Sequence, residues 1–335
     1  MKLQAGQVAV VTGAANGIGR AVAAALGARG LRLVLADLEA DRLAEVAAEL
    51  DADTVAVPTD VTDTEQVERL AQTALDRFGG VDLLVNNAGT MAGGPSWQID
   101  PADWQRMIAV NLGGVANGVR VFVPQMVAAG RGHVVNIASV SGLIADPFNA
   151  VYAATKHGVV SLSESLRGEL SLLAPEIGVT VVCPGPIDTR MLRGLMDNAT
   201  ALVAGGPDAL RERPEAGWFA TVTADQYEKL TPLFGAVTDL NSVMVTPADA
   251  AAVVLAAVEA NRLYATTHPA WAAKVRDRSE RIIADLLASP TERIRAIALG
   301  RKARARVEHG GRVARRIAFR CGEVLGGFRE GFRGN

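Results

Sequence analysis

Val8–Thr12 reads VAVVT, a β-branched run with no polar face, and it breaks at once into Gly13-Ala-Ala-Asn16-Gly17-Ile18-Gly19. A short strand that is apolar on both sides is buried on both sides, as inside a parallel sheet. The chain then resumes as an Ala-rich helix through Ala28. Strand, glycine turn and helix in that order make an anion site. The glycines let backbone N–H groups approach a pyrophosphate, and the helix N-terminus carries partial positive charge.

The alternation continues. Further strands are expected at Leu31–Ala36, Thr54–Val57, Val81–Val85, Val134–Ala138 and Val179–Val182. Helices are expected at Leu43–Leu50, around Trp104–Leu112 and from Tyr152 to about Leu172. Six β-α alternations in one direction predict an α/β fold with a doubly wound parallel sheet, and ligands outside the C-terminal strand ends. The residues at those ends are therefore the candidates. Asp37 closes the second strand, where a carboxylate can accept both ribose hydroxyls of NAD and would repel the 2′-phosphate of NADP. Leu38 follows it instead of Arg, and position 16 is Asn instead of a basic residue, so NAD is the expected cofactor and NADP the less favoured one. The plainer reading of Asp37 is a helix N-cap. Asp60-Val61 lies where an adenine would rest, although Asp60 also starts the next helix. Asn86-Asn87-Ala88-Gly89 ends the fourth strand, where the amides either bridge strands or touch a ribose. Asn111 stands among apolar helical residues, where a buried amide requires partners; it is otherwise a packing or kink residue. Cys183-Pro184-Gly185-Pro186-Ile187-Asp188-Thr189 is a rigid loop after the sixth strand.

Asn136–Lys156 carries the reactive groups. Ser139 follows the apolar run HVVNIA, Tyr152 comes thirteen residues later, and Lys156 four beyond that. Tyr152 and Lys156, at i and i+4, share a helix face about 5–6 Å apart. An ammonium beside a phenol favours the phenolate, and a tyrosine lowered from about 10 becomes a usable acid or base. A Tyr-x-x-x-Lys pair alone is also compatible with a half-buried Tyr and a solvated Lys.

Composition narrows the class. Aromatics make up 4% and the formal net charge is -2, which removes the stacking platform and the basic surface that nucleic acids require. Cys183 and Cys321 form no disulfide framework and no metal set, and are expected as small apolar residues in a reducing compartment. No apolar run is expected to reach the roughly 18 residues of a membrane span, and the first strand is no cleavable leader, so a cytoplasmic protein is expected. His133, His157, His268 and His309 have no ligand spacing and read as structural or surface residues; no metal is expected.

Taken together, Thr12-Gly13-xxx-Gly17-Ile18-Gly19, Asn86-Asn87-Ala88-Gly89, Asn111, Ser139, Tyr152-xxx-Lys156 and Pro184-Gly185 resemble the classical short-chain dehydrogenase/reductases, over roughly residues 5 to 190. The resemblance implies a Rossmann fold. It implies Tyr152 as general acid/base, Lys156 on the nicotinamide ribose, Ser139 on the substrate oxygen, and Asn111 holding a water that relays protons. Thr12, Gly13, Asn16, Gly17, Ile18, Gly19, Asp37, Asp60, Val61, Asn87, Ala88, Gly89, Tyr152, Lys156, Pro184, Gly185, Ile187 and Thr189 would line the cofactor. The expected reaction is hydride transfer between NAD(H) and a secondary alcohol or ketone. The alternatives are an NADPH-dependent carbonyl reductase and, from another class, a non-catalytic dinucleotide sensor or scaffold.

After residue 190 the resemblance thins. One domain is expected over 1–266, with a substrate-covering loop about 190–246, a helix in 267–300 and a basic amphipathic tail in 301–335. Met191, Leu192, Leu195, Met196, Trp218 and Phe219, with Leu143, Ile144 and Phe148, either line an apolar pocket or pack on the core. Ser139, Leu143, Phe148, Tyr152 and Met191 are the residues expected to meet a hydrophobic substrate. Pro247 opens a helix to Ala260, and a last strand is expected at Leu263–Thr266. The family's frequent Gly-rich ending is missing, so a homodimer is as well supported as a homotetramer. The tail carries ten Arg or Lys against three Glu and alternates apolar residues at helical spacing. Such a segment lies on an anionic membrane surface, docks on protein, or stays solvated.

Overall fold

Odd- and even-numbered residues of the first strand go into different cores. Ala9 and Val11 pack on one face of the sheet, Val8 and Val10 on the other. In this computed structural model, which describes residues 1–210 and 214–288, the strands are β1 (Val8–Thr12), β2 (Arg32–Asp37), β3 (Thr54–Pro58), β4 (Leu83–Asn86), β5 (Gly132–Ile137), β6 (Ile177–Val182) and β7 (Tyr264–Ala265). They are all parallel, in the order β3-β2-β1-β4-β5-β6-β7. The order reverses between β1 and β4, and a crevice opens outside their C-terminal ends. This is the expected doubly wound Rossmann sheet, and the last strand is a two-residue pairing against β6.

Helices α1 (Gly17–Gly27), α2 (Ala40–Glu49), α3 (Thr64–Phe78), α4 (Pro101–Met107), α5 (Gly114–Ala129), α6 (Ala150–Leu173), α7 (Arg190–Gly205), α8 (Ala224–Thr238), α9 (Pro247–Glu259) and α10 (Ala272–Leu287) complete the described residues. Leu26, Leu43 and Val254 of α1, α2 and α9 cover one face; Leu70, Phe122 and Leu166 of α3, α5 and α6 cover the other. A fully buried Leu or Phe contributes about 2 kcal/mol relative to leaving it in water, so this two-sided burial is the main driving force of the unit Met1–Ala272. Ala273–Asn335 forms a second unit, whose described part is α10, with Ile283, Leu286 and Leu287 exposed. The expectations placed on residues 301–335, with Cys321 and His309, lie outside the described residues.

Three expectations are corrected. Asp60 does not start the third helix. Its carboxylate accepts from the Thr62 N–H (2.8 Å) and hydroxyl (2.7 Å), while Asp63 caps α3 through the Glu65 and Gln66 N–H groups. The helix expected around Trp104–Leu112 is not regular: a π-helical segment, Ile108–Gly113, joins α4 to α5. The resulting continuous helix Pro101–Ala129 is long and apolar enough, by length and composition alone, to cross a membrane, although Asn111, Asn117 and Arg120 interrupt its apolar run. In the fold its residues Val115, Phe122 and Met126 belong to the cores on the sheet. The segment 190–246, expected as a covering loop, is mostly helix: α7, α8, and 3-10 turns at Pro207–Leu210, Pro214–Thr221 and Asp239–Val243.

One buried polar cluster ties the sheet to the helices. Asn86 Nδ2 donates to Asn136 Oδ1 (2.9 Å), Asn136 Nδ2 to Ser163 Oγ (2.9 Å), and Ser163 Oγ to the Val159 carbonyl (2.7 Å). Gly118 presses against it: a Cβ there would stand 2.2 Å from Asn86 Oδ1. Gly118→Val is therefore expected to cost about 3 kcal/mol of unfolding free energy in a urea titration, from overpacking and a broken buried amide bond.

Candidate active site

The glycine turn is fixed by contacts that leave no room for side chains. Gly13 and Gly17 have φ of +64° and +52°, the left-handed region that favours glycine. A Cβ on Gly19 would lie 2.2 Å from the Gly13 carbonyl oxygen. Asn16 caps α1 without a side-chain bond to its backbone, so the helix's first N–H groups face the turn. Thr12 Oγ1 accepts the N–H groups of Asn87 (3.0 Å) and Ala88 (3.1 Å), and Asn87 Nδ2 donates to the Thr12 (2.9 Å) and Gly13 (3.1 Å) carbonyls. Of the two readings of Asn86-Asn87, the side chains take the bridging one.

Asp37 lies beside this turn. Its Oδ2 accepts the Ala15 N–H (3.0 Å) and its Oδ1 the Glu39 N–H (3.1 Å). Glu39, not Asp37, occupies the N-cap position of α2, so the carboxylate is directed at the glycine turn by β2 rather than held by a helix. Val61 is buried, and its carbonyl accepts from Asn117 Nδ2 (2.9 Å). On the far side, Thr189 caps α7, and its methyl carbon is 3.1 Å from where a Gly17 Cβ would be. Ile187 pairs with Val245, and the Pro184 carbonyl accepts the Val140 N–H (2.9 Å), which ties the loop after β6 to the turn carrying Ser139.

Ser139 begins that turn two residues after β5, and its Oγ accepts the Ser141 N–H (3.1 Å). Tyr152 and Lys156 stand one turn apart on α6, with Lys156 Nζ 5.6 Å from the tyrosine ring centre. Nζ donates to the Ile137 carbonyl (2.9 Å). Gly89 sits at the meeting point: a Cβ there would be 3.4 Å from Asn111 Oδ1 and 3.7 Å from Lys156 Nζ. Asn111, fully buried in the π segment, accepts the Thr90 N–H (2.8 Å) and donates to the Thr90 carbonyl (2.9 Å) and Thr155 Oγ1 (3.2 Å). Its amide thus anchors the chain after β4, as the packing alternative required, while one lone pair of Oδ1 stays unassigned.

Electrostatics correct one expectation. Burial pushes the Tyr152 phenol up, with Ser139 hydrogen bonding opposing it in part, so the phenol is not lowered. Burial also pushes Lys156 down, to about 8, while the nearby Cys183 raises it slightly. The same low-dielectric surroundings that the tyrosine feels weaken the charge that was to stabilise its phenolate.

The apolar residues divide. Ile144 and Met196 are buried in the core, Leu143 packs beside Val160 and Cys183, and Met191 is 42% exposed on α7. Phe148 adopts φ +63° and stacks on Trp218, centroids 5.4 Å apart, with its carbonyl accepting the Gly94 N–H (2.9 Å). Trp218 Nε1 donates to Gln98 Oε1 (2.9 Å). Gly94 and Gln98 escaped the sequence reading, where only the Gly93-Gly94 pair hints at a close approach. His268 was read as structural or surface, and it buttresses the loop after β6. Its Nε2 lies 2.8 Å from the Val243 carbonyl and its Nδ1 2.7 Å from Thr267 Oγ1, which accepts the Gly185 N–H (3.1 Å). Among the described residues no cluster of His, Cys, Asp or Glu could hold a metal ion.

The crevice at the β1/β4 reversal, the glycine turn and the Ser-Tyr-Lys grouping define a dinucleotide-dependent oxidoreductase site. The family model for the short chain dehydrogenases matches residues 7–200, and the chain belongs to that family. It is 39% identical over 217 residues to 1-deoxy-11-beta-hydroxypentalenate dehydrogenase of Streptomyces exfoliatus, covering 63% of this chain and 77% of that one. A short chain dehydrogenase/reductase from Burkholderia phymatum, solved in complex with NAD, superposes with a TM-score of 0.71 at 39% identity, covering 87% of this chain and 99% of that one. LigO from Sphingobium sp., in its apo form, gives 0.70 at 27% identity, over 93% and 100% of the two chains.

Lys156 provides a test of the site's electrostatics. Its folded pKa, about 8, lies below its ordinary 10.5, so between those values the unfolded chain binds more protons and stability rises with pH. Lys156→Met should be more stable than the parent at pH 7 by about 2 kcal/mol, a charge penalty of about 3 less a hydrogen bond of about 1. Urea titrations at pH 7 and pH 10 should show that advantage shrinking.

Proposed function

We propose that this chain transfers hydride between NAD(H) and a hydrophobic secondary alcohol or ketone, with Tyr152 as general acid/base. The observation that carries the reading is the run of contacts that joins Ser139 to Tyr152, Tyr152 to Lys156, and Lys156 and Asn111 to the space beside Gly89. The residues fit a dinucleotide. The first N–H groups of α1 carry no side-chain cap and face the glycine turn, and Asp37 stands beside it as a ribose acceptor. The NAD complex of the Burkholderia phymatum relative supports the same cofactor.

NAD, when bound, supplies the hydride acceptor. In oxidation Tyr152 takes the hydroxyl proton of the alcohol as the carbinol carbon gives up hydride; in reduction it donates that proton to the carbonyl oxygen. Ser139 hydrogen-bonds the same oxygen and fixes its direction. In this reading Lys156, which donates to the Ile137 carbonyl, binds the nicotinamide ribose hydroxyls, and Asn111 holds a water between Lys156 and solvent. Thr12, Gly13, Asn16, Gly17, Ile18, Gly19, Asp37, Asp60, Val61, Asn87, Ala88, Gly89, Pro184, Gly185, Ile187 and Thr189 line the cofactor. Leu143, Phe148 and Met191 face the substrate, and residues 190–246 cover it within a domain of residues 1–266. The dehydrogenase of 1-deoxy-11-beta-hydroxypentalenate among the relatives supports an alcohol substrate. Self-association as a homodimer or homotetramer belongs to the same reading, as the family resemblance implies.

Tyr152→Phe should lower turnover of a hydrophobic alcohol with NAD by roughly 10²–10⁴-fold. NADH titrated by its fluorescence should bind the variant within about twofold of the parent, because the ring that lines the cofactor is kept and only the acid/base hydroxyl is lost. A variant that turns over at the parent's rate would remove Tyr152 as the acid/base, whereas a parent that binds NADH and turns over no alcohol would return the sensor alternative.

A further inference from the structure

We propose that Glu39 is a second determinant of cofactor choice, acting by holding Arg190 away from the 2′-phosphate of NADP(H). The inference rests on the reading that Asp37 faces the adenosine ribose. Arg190 is the first residue of α7, and α7 begins directly over the glycine turn, as the Thr189 methyl beside Gly17 shows. Its guanidinium makes a two-pronged ion pair with Glu39, one prong at 3.3 Å. Asn16 Nδ2 donates to the same carboxylate (3.3 Å), so residues from the turn, the end of β2 and α7 meet at one side chain. Glu39 is two residues past Asp37 and donates its own N–H to the Asp37 carboxylate. Asp37 also acts on Arg190, adding to the stronger pull of Glu39 in raising its pKa.

This corner therefore holds two carboxylates and one guanidinium beside the place where a 2′ substituent would sit. With Arg190 engaged by Glu39, a 2′-phosphate meets Asp37 without a cationic partner and is repelled, whereas a neutral 2′-hydroxyl is accepted. Arginine is suited to bind a phosphate through two parallel N–H···O bonds, and the side chain is largely solvent-exposed and can re-aim. Neutralising Glu39 removes one negative charge from a corner whose field Arg42, ion-paired to Glu45, also reaches, and frees Arg190 for the phosphate. The residue that looks like a missing feature of an NADP site, a cation next to the ribose, is thus present and occupied.

The experiment is a fluorescence titration of NADH and NADPH with the full chain, Glu39→Gln, Arg190→Gln and the double variant. Glu39→Gln should tighten NADPH at least tenfold and leave NADH within about twofold, and the gain should shrink on adding salt. The double variant should lose that gain. An unchanged NADPH affinity in Glu39→Gln overturns the proposal, and so does a double variant that keeps the gain, since repulsion by Glu39 alone would then suffice. Failure of the underlying reading looks different: Asp37→Ala would leave the NADH/NADPH ratio of the parent unchanged. A chain that binds neither nucleotide overturns both.

Discussion

A crevice between two strands is only as well defined as the distance between them, and one hydroxyl sets that distance here. Thr12 Oγ1 accepts two successive N–H groups from the chain leaving β4, while Asn87 reaches back to two carbonyls of the chain leaving β1. The reversal of strand order pulls these segments toward opposite sides, and without the stitch their backbone groups would look for water. With it, the left-handed glycines and the close approach at Gly19 are tolerable, because the turn has one conformation to occupy. The cofactor crevice and the reactive grouping then share a frame, since Asn87 and Gly89 are two residues apart.

The reactive side runs on a different economy. Lys156 and Asn111 are taken out of water and Tyr152 is half-buried, and a buried ammonium or phenol held by few partners is unfavourable to the fold. The molecule retains them by giving each a backbone partner or a neighbour: Ile137 for the lysine, Thr90 for the amide, Ser139 for the phenol. Stability is thus spent where the chemistry is and recovered in the two cores. The buried Asn86-Asn136-Ser163 chain, by contrast, pairs its members with one another and ends on the Val159 carbonyl, so it costs little.

How much of this was legible depended on whether the signal was local. The strands, the glycine turn, Asp37 and the Tyr152/Lys156 pair were legible because periodicity and i,i+4 spacing are properties of adjacent residues. The Tyr152 pKa direction was not, because burial depends on chain segments far away in sequence. Asp60 and Asp63 both suit a helix start, and only the turn Asp60 makes with Thr62 decides between them. Glu39 pairs with Arg190 across 151 residues, and nothing near either one announces the other. Helix in the segment 190–246 was hidden by its glycines and prolines, which read as loop until α7 and α8 pack through Leu202 and Leu230.

The π-helical stretch before α5 explains a mismatch in the sequence itself. Buried residues Met107, Asn111, Val115, Gly118, Phe122 and Met126 take five steps over nineteen residues, where five turns of α-helix would use about eighteen. One residue more than the α period has been absorbed, and the wide turn holds it. The helix keeps a single seam against the sheet on both sides of the wide turn, while the surplus position brings the Asn111 amide to the chain after β4, where a regular helix of the same length would have aimed it elsewhere.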